Sequence, residues 1–221
     1  MRLGAVVPNF EFDSTHGKLK FYDWLGDSWC VLFSHPADFT PVCTTELGRI
    51  AVHAPEFKKR NVKIIAHSAD ELQSHVDWVN DIKSYCQDIC GEFPYPIIAD
   101  PERKLAVQLD MIDEAQMNNP EVAKTVRALF IISPDHKLRL SMYYPISTGR
   151  NVDEILRCID SLQLVDSKNG IIATPANWTP GTKVMVLPTV TDEEIKKNFP
   201  KGLDLVEMPS KRVYIRTTEN Y

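Results

Sequence analysis

Cys30-Val31-Leu32-Phe33-Ser34-His35-Pro36-Ala37-Asp38-Phe39-Thr40-Pro41-Val42-Cys43 runs from an apolar stretch of strand length, through a loop, into a helix start. Thr40 suits the N-cap. Pro41 suits the first helical position, because its missing N–H would have had no intrahelical partner there. That count puts Cys43 at N3, where free backbone N–H groups and the positive end of the helix dipole favour thiolate over thiol. Leu47, Ile50, Ala54 and Phe57 recur on the same helical face, so the sulfur is expected to point inward, into a pocket.

Outward from this unit, the apolar runs 30–34, 62–67, 96–99, 126–132 and 138–144 read as strands, several hydrophobic enough to be buried in a sheet. Helical patterns begin near Val42, Glu71 and Glu102. Another begins near Val152, with Asn151 as N-cap and Glu154 at N3 in a capping-box arrangement. Strands alternating with helices and closing on a hairpin predict a three-layer α/β domain over residues 1–166. After Gly170 the texture changes: Pro175, Pro180, Pro188, Pro200 and Pro209 punctuate short segments. Residues 167–221 are expected to form a small α+β unit, with strands at 184–187 and 213–216. Thr191 and Glu194 should cap a helix reaching about Lys197. So few elements bury little alone, so this unit is expected to pack on the main domain or on a partner subunit.

Composition narrows the function. In 221 residues, 43% are hydrophobic and 25% charged, which excludes a disordered chain. The net charge of −5 supplies no basic footprint for nucleic acid. Residues 1–12 fit neither a secretory signal nor a membrane span, so a cytoplasmic protein is expected. The five cysteines, Cys30, Cys43, Cys86, Cys90 and Cys158, are odd in number and irregular in spacing, which favours thiols over a disulfide framework. Cys86 and Cys90 form a Cys-x-x-x-Cys pair that no second pair or nearby histidine completes, and the six histidines show no ligand spacing. No metal is expected.

Two readings stand for Arg127, which interrupts a strand otherwise built for burial. It lines the thiolate pocket, with Glu46 one turn beyond Val42 as its partner, or it reaches solvent from an edge strand. Arg150 precedes a helix, where an arginine is ordinarily solvated. Pro36 would shape and shield the pocket or simply make a turn, and His35 suits a strand-end hydrogen bond. For Cys43 the alternative is a buried structural thiol.

These residues carry a resemblance. Pro36, Thr40 and Cys43 form the Pro-x-x-x-Thr-x-x-Cys signature within SHPADFTPVCTTELGR. The opening LGAVVPNF, Arg127 in KTVRALF, Arg150 in TGRN, and the tail segments KVMVLPTV and KGLDLVEMPSKRVYIR extend it over nearly the whole chain. The sequence resembles the peroxiredoxins, thiol peroxidases of the AhpC/TSA family with a thioredoxin-like fold, and specifically their 1-Cys branch. The resemblance implies that Cys43 is the peroxidatic nucleophile, oxidised to a sulfenic acid by hydrogen peroxide or organic and lipid hydroperoxides. Thr40, Arg127 and Pro36 would complete the catalytic set, with Glu46, Arg150 and His35 supporting it. No cofactor is implied. An external thiol would act as reductant, by resemblance glutathione, with delivery by a glutathione transferase. A homodimer, antioxidant defence and no stable membrane insertion follow from the same comparison.

Thiolate activation alone does not make a peroxidase. Lowering a thiol pKa from about 8.5 to about 6 raises the reactive fraction at neutral pH by roughly tenfold. A Brønsted slope near 0.4–0.5 removes a similar factor of nucleophilicity. Donors aimed at the charge that develops on the peroxide are therefore required. Arg127, the Cys43 N–H and the Thr40 hydroxyl are the candidates, the last expected to accept from helix N–H groups while donating to sulfur or peroxide.

The sulfenic acid then needs a second thiol. Cys30 should lie near the far end of its strand, about 15 Å away at roughly 3.3 Å per residue, whereas a disulfide needs Cα atoms within about 7 Å. Nothing marks Cys86, Cys90 or Cys158 as resolving, and the tail has no cysteine. The 1-Cys branch is also associated with a phospholipase triad around Gly-x-Ser-x-Gly. Here Gly26-Asp27-Ser28-Trp29-Cys30 ends in cysteine, and Tyr22 occupies the histidine position, although Asp135 matches the acid. Without an imidazole, Ser28 lacks a general base, unless His16 is brought near it. Lipase activity is expected to be weak or absent. A holdase chaperone or redox scaffold is the non-enzymatic alternative.

Overall fold

A computed structural model describes residues 1–119 and 122–221. They form two compact units, Met1–Val152 and Asp153–Tyr221. The first contains β1 (Glu11–Ser14), β2 (Gly17–Lys20), α1 (Phe21–Leu25), β3 (Trp29–Ser34), α2 (Pro41–Val52), α3 (Ala54–Lys59), β4 (Val62–Ser68), α4 (Leu72–Tyr85), β5 (Ile97–Ala99), α5 (Lys104–Gln108), β6 (Arg127–Ile132) and β7 (Leu138–Tyr144). Its seven strands make one mixed sheet in the order β2-β1-β5-β4-β3-β6-β7.

The centre of this sheet follows from apolar runs that leave no solvent face. β3 pairs parallel to β4 through a crossover containing α2 and α3, and β4 pairs parallel to β5 across α4. β6 returns antiparallel on the other side of β3 and hairpins into β7. All six residues of β3 and all six of β6 are buried, as a strand covered on both faces requires. Side chains alternate between the faces. Cys30 and Leu32 join Phe21, Leu25, Leu105, Leu109, Phe130 and Ile132 in a cluster on one face. Phe33, on the other, meets Tyr95, whose hydroxyl donates to the Leu47 carbonyl of α2.

The five expected strands are present with bounds shifted by at most one residue, and the helix expected near Glu102 starts at Lys104. The helical face drawn from Cys43 to Phe57 is corrected: α2 ends at Val52 and α3 begins at Ala54. Pro55 explains the break, since it has no N–H to donate and its ring crowds the carbonyl four residues back; His53 sits between the helices at φ −88°, ψ 3°. Cys43, Leu47, Ile50 and Phe57 are nonetheless buried. The hairpin β1–β2 escaped the sequence reading because strands of four residues carry little periodic signal.

The second unit contains α6 (Val152–Ser167, whose first residue belongs to the first unit), β8 (Ile172–Ala173), β9 (Val184–Val186), α7 (Asp192–Asn198), β10 (Asp204–Leu205) and β11 (Arg216–Thr218). Its strands order as β10-β11-β9-β8, around a core of Ile172, Trp178, Val184, Val186, Val190 and Phe199. Thr191 and Glu194 make both bonds of the capping box. The strand expected at 213–216 lies at Arg216–Thr218 instead.

Candidate active site

Cys43 is N3 of α2, with Thr40 as N-cap and Pro41 as N1. The first intrahelical bond runs from the Thr44 N–H to the Thr40 carbonyl, so the amides of Val42 and Cys43 have no intrahelical acceptor. The thiol is fully buried. Thr40 departs from expectation: it makes no side-chain cap, and its hydroxyl donates to the Ala37 carbonyl at 2.8 Å. The loop curls back over itself here, with Phe39 held at φ 52°, a left-handed conformation that costs a bulky residue about 1–2 kcal/mol. The hydroxyl thus bonds Ala37 O and leaves the helix amides uncapped. Pro36 is buried at the start of this loop.

Arg127 is brought to the sulfur by strand register. Phe33 pairs with Leu129, so two residues further along Arg127 falls level with His35, where β3 has ended and the loop begins. β6 lies between β3 and β7, which removes the edge-strand reading. Arg127 Nη1 donates to Cys43 Sγ at 3.3 Å and to Glu46 Oε2 at 2.6 Å, and its Nε donates to the Ile146 carbonyl at 2.9 Å.

Glu46 holds a second cation. Arg150 donates to Oε1 through its backbone N–H at 2.7 Å and through Nε at 2.9 Å, and to Oε2 through Nη2 at 3.0 Å. Its remaining Nη1 donates to the Ala128 carbonyl at 2.7 Å, and the guanidinium stacks 5.0 Å above the Phe33 ring. Burial raises the Glu46 carboxyl, but Arg150 and then Arg127 outweigh it and hold the group below its ordinary range. One carboxylate with two guanidiniums leaves a net positive charge beside the sulfur, in a site dry enough for it to act strongly. Arg150 is buried, not solvated.

His35 is buried, as are His67 and His75, and the sequence reading missed what they do. His35 Nε2 lies 2.8 Å from Asp38 Oδ1, and His75 Nδ1 lies 2.7 Å from Asp38 Oδ2. These three groups come within 4.8 Å of one another, which sequence spacing did not foretell. Nitrogen–oxygen separations of 2.7–2.8 Å are those of charge-assisted hydrogen bonds; two ligands of a tetrahedral zinc, with bonds near 2.05 Å, stand about 3.3 Å apart. The donor set therefore fits a hydrogen-bonded cluster. The available signal was His75 itself, aligned with Trp78 and Ile82 on the buried face of α4.

The other cysteines separate by burial. Cys30 and Cys158 are buried, Cys86 is half-buried and Cys90 exposed, and all are free. Burial pushes the Cys30 thiol far up and the Cys158 thiol to about 11. The lipase set does not assemble among the described residues. The Ser28 hydroxyl donates to Asn61 Oδ1, and Tyr22 donates to the Val7 carbonyl while stacking on His136 at 3.6 Å. Asp135 pairs with Lys137 and Ser133. His16 lines the same cavity of about 770 Å³ as Ser28, but its Nε2 pairs with the Phe93 carbonyl.

Residues 3–141 match the AhpC/TSA family and residues 161–202 match the C-terminal domain of 1-Cys peroxiredoxin. Peroxiredoxin-6 of Homo sapiens is 53% identical over 217 residues, 98% of this chain and 96% of that protein. The 1-Cys peroxiredoxin PER1 of Arabidopsis thaliana is 50% identical over 98% of this chain and 97% of its own. Among solved structures, a mutant Peroxiredoxin 6 of Arenicola marina superposes with TM-score 0.93 at 52% identity, over 100% of this chain and 99% of that one. Yeast mitochondrial 1-Cys peroxiredoxin gives 0.86 at 44%, over 99% of each chain.

Proposed function

The chain belongs to the AhpC/TSA family and to its 1-Cys peroxiredoxin branch, and from that premise we propose how its residues carry out the reaction. The protein is a thiol peroxidase of thioredoxin-like fold. Cys43 is the nucleophile: its thiolate attacks one peroxide oxygen, the O–O bond breaks, and the second oxygen leaves with the electron pair and takes a proton, giving water or an alcohol. The sulfur becomes a sulfenic acid. Arg127 stabilises the charge passing from sulfur to the leaving oxygen, and Glu46 and Arg150 keep it aimed. The supporting observation is the 3.3 Å approach of Arg127 Nη1 to Cys43 Sγ in a buried site. Thr40 and Pro36 shape the approach path.

The sulfenic acid is returned to thiol by two equivalents of an external thiol, released as a disulfide with water. Glutathione is that thiol, with a glutathione transferase as its carrier. In support, the yeast relative is described as resolved via the glutathione/thioredoxin systems, and burial of Cys30 and Cys158 removes two internal candidates. Hydrogen peroxide and organic or lipid hydroperoxides are the substrates, and antioxidant defence in the cytoplasm is the role. No helix among the described residues is long and apolar enough to cross a membrane. A homodimer is supported by the open edge of β7 and the exposed apolar Phe39, Tyr143 and Ile146.

Peroxide consumption with glutathione by wild type and Cys43→Ser tests the assignment. Loss of turnover in the variant, with a sulfenic-acid trap labelling only Cys43 in the wild type, is the expected result. Retained turnover, or a rapid disulfide to Cys86, Cys90 or Cys158, overturns it. Ser28→Ala should leave any ester hydrolysis unchanged.

A further inference from the structure

The Asp38 carboxylate is buried in the active-site loop ahead of Cys43, and three side chains converge on it. Oδ1 accepts from His35 Nε2; Oδ2 accepts from Ser74 Oγ at 2.7 Å and faces His75 Nδ1 at 2.7 Å. The Asp38 backbone N–H donates to Asp70 Oδ2 at 3.0 Å. Burial alone would raise this carboxyl, but the hydrogen bonds from His35 and His75 outweigh it and hold it well below the usual carboxylate range. It is therefore ionised and can only accept.

The proton count on His75 follows. Its Nε2 lies 3.1 Å from the Ile98 carbonyl of β5, and a carbonyl only accepts, so Nε2 carries a proton. Its Nδ1 faces a carboxylate that only accepts, so Nδ1 carries one as well. His35 differs: its Nδ1 has no partner, burial pushes the ring down against the pull of Asp38, and one proton at Nε2 satisfies it. Asp38 and His35 come from the loop, and Asp70, which accepts from the Asp38 N–H, adds a further carboxylate acting on His35. The next residue after Asp38 is Phe39, held at φ 52°, its ring tilted against that of Trp78, on the same helix as His75, with centroids 6.3 Å apart. A conformation costing about 1–2 kcal/mol persists only where its surroundings over-determine it.

We propose that His75 is a positioning residue of the peroxidase site, an imidazolium whose ion pair with Asp38 clamps the Pro36–Thr40 loop onto α4 and holds Phe39 in its strained form. Thr40 and Cys43 are thereby set against Arg127. The proposal rests on the reading of Cys43 as the peroxide-reacting thiol.

Histidine-selective nitrogen labelling of the full chain, with His75→Gln for assignment, reads the proton count directly. Protons on both His75 ring nitrogens at pH 7 are expected, and a lone pair on Nδ1 overturns the ion pair. Function is read as a ratio at one thiol. In His75→Gln and in Asp38→Asn, oxidation of Cys43 by hydrogen peroxide should slow at least about tenfold, because misplacement of the approach loop is costly to a geometry-dependent step. Alkylation of Cys43 by iodoacetamide, which requires only the thiolate, should change by less than about threefold. Ser74→Ala, removing an uncharged donor to the same carboxylate, should leave both rates near wild type. An unchanged peroxide rate, or equal slowing of both reactions, overturns the positioning role. If His75→Gln does not fold, His75→Asn enters the same comparison, and the wild-type proton count still decides the ion pair. A wild type whose peroxide consumption survives Cys43→Ser would defeat the underlying assignment instead, leaving the proton count as the separate test of the clamp.

Discussion

The Arg127 guanidinium lies 3.3 Å from the Cys43 sulfur across 84 positions of chain, and the contact joins the start of a helix to the start of an interior strand. Because Nη1 is shared between that sulfur and Glu46, Arg127 is not free to swing. A donor fixed before the reaction costs no reorganisation when charge moves onto the leaving oxygen.

Replacing it should therefore be expensive. Arg127→Gln is expected to slow Cys43 oxidation by about 10²–10³-fold, the usual worth of one preorganised oxyanion donor, measured by stopped-flow mixing with hydrogen peroxide. Arg127→Lys should recover little of this, because a point charge cannot reach Ile146 O, Glu46 and the sulfur together as the planar fork does. A rate within threefold of wild type in Arg127→Gln would refute the role.

Glu46→Gln should destabilise the fold as well as the site. It leaves two buried guanidiniums facing each other without their carboxylate, a break of the kind that costs about 3–5 kcal/mol; thermal or urea unfolding measures it. The pH dependence has a definite sign. The folded-state pKa of Glu46 lies below the ordinary value of 4.5, so the unfolded chain binds the proton first. Its contribution is fully present above about pH 4.5 and is lost as pH falls toward and through the folded value. The variant should show a shallower loss of stability over that acid range.

Thr40→Val keeps the shape of the side chain and removes the hydroxyl that ties the loop to Ala37 O. Peroxide oxidation of Cys43 should fall about tenfold, matching the roughly 1–1.5 kcal/mol of one hydrogen bond, whereas Thr40→Ser should stay close to wild type. A Thr40→Ser rate as low as that of the valine variant would show that shape, not the hydroxyl, matters.

Gly48 is required by a close approach between α2 and the end of α4. A Cβ there would stand 2.3 Å from Cys86 Sγ and 3.1 Å from Cys86 Cβ. Gly48→Ala should cost about 1–3 kcal/mol through overpacking. Cys86→Ala should return part of that in the double variant, seen as a favourable coupling in a double-mutant cycle. Strict additivity would place the strain elsewhere.

Much was legible because single residue types forced it. Thr40-Pro41 followed by the apolar spacing of Leu47 and Ile50 marks a helix start, so the N3 position of Cys43 followed directly, and continuous apolar runs announced the buried strands. Pro55 is equally visible, but the apolar spacing of Ile50, Ala54 and Phe57 continues across it and masks the break. The direction of the Thr40 hydroxyl was not legible: it can accept from helix N–H groups or donate to a carbonyl, and in the folded loop it donates to Ala37 O. Arg127 offered two readings until the sheet order put β6 inside.

Local chemistry is written along the chain: a cysteine at a helix start, a threonine before it, and strand and helix types set by periodicity and capping within a few residues. Which distant charges meet is settled by the packing of the folded chain. Glu46 binding both Arg127 and Arg150, and Asp38 binding His35 and His75, are pairings between groups made compulsory by burial. An ion or a polar ring removed from water must find a partner inside the protein, and strand register and helix packing, which local sequence does not encode, decide which partner is within reach.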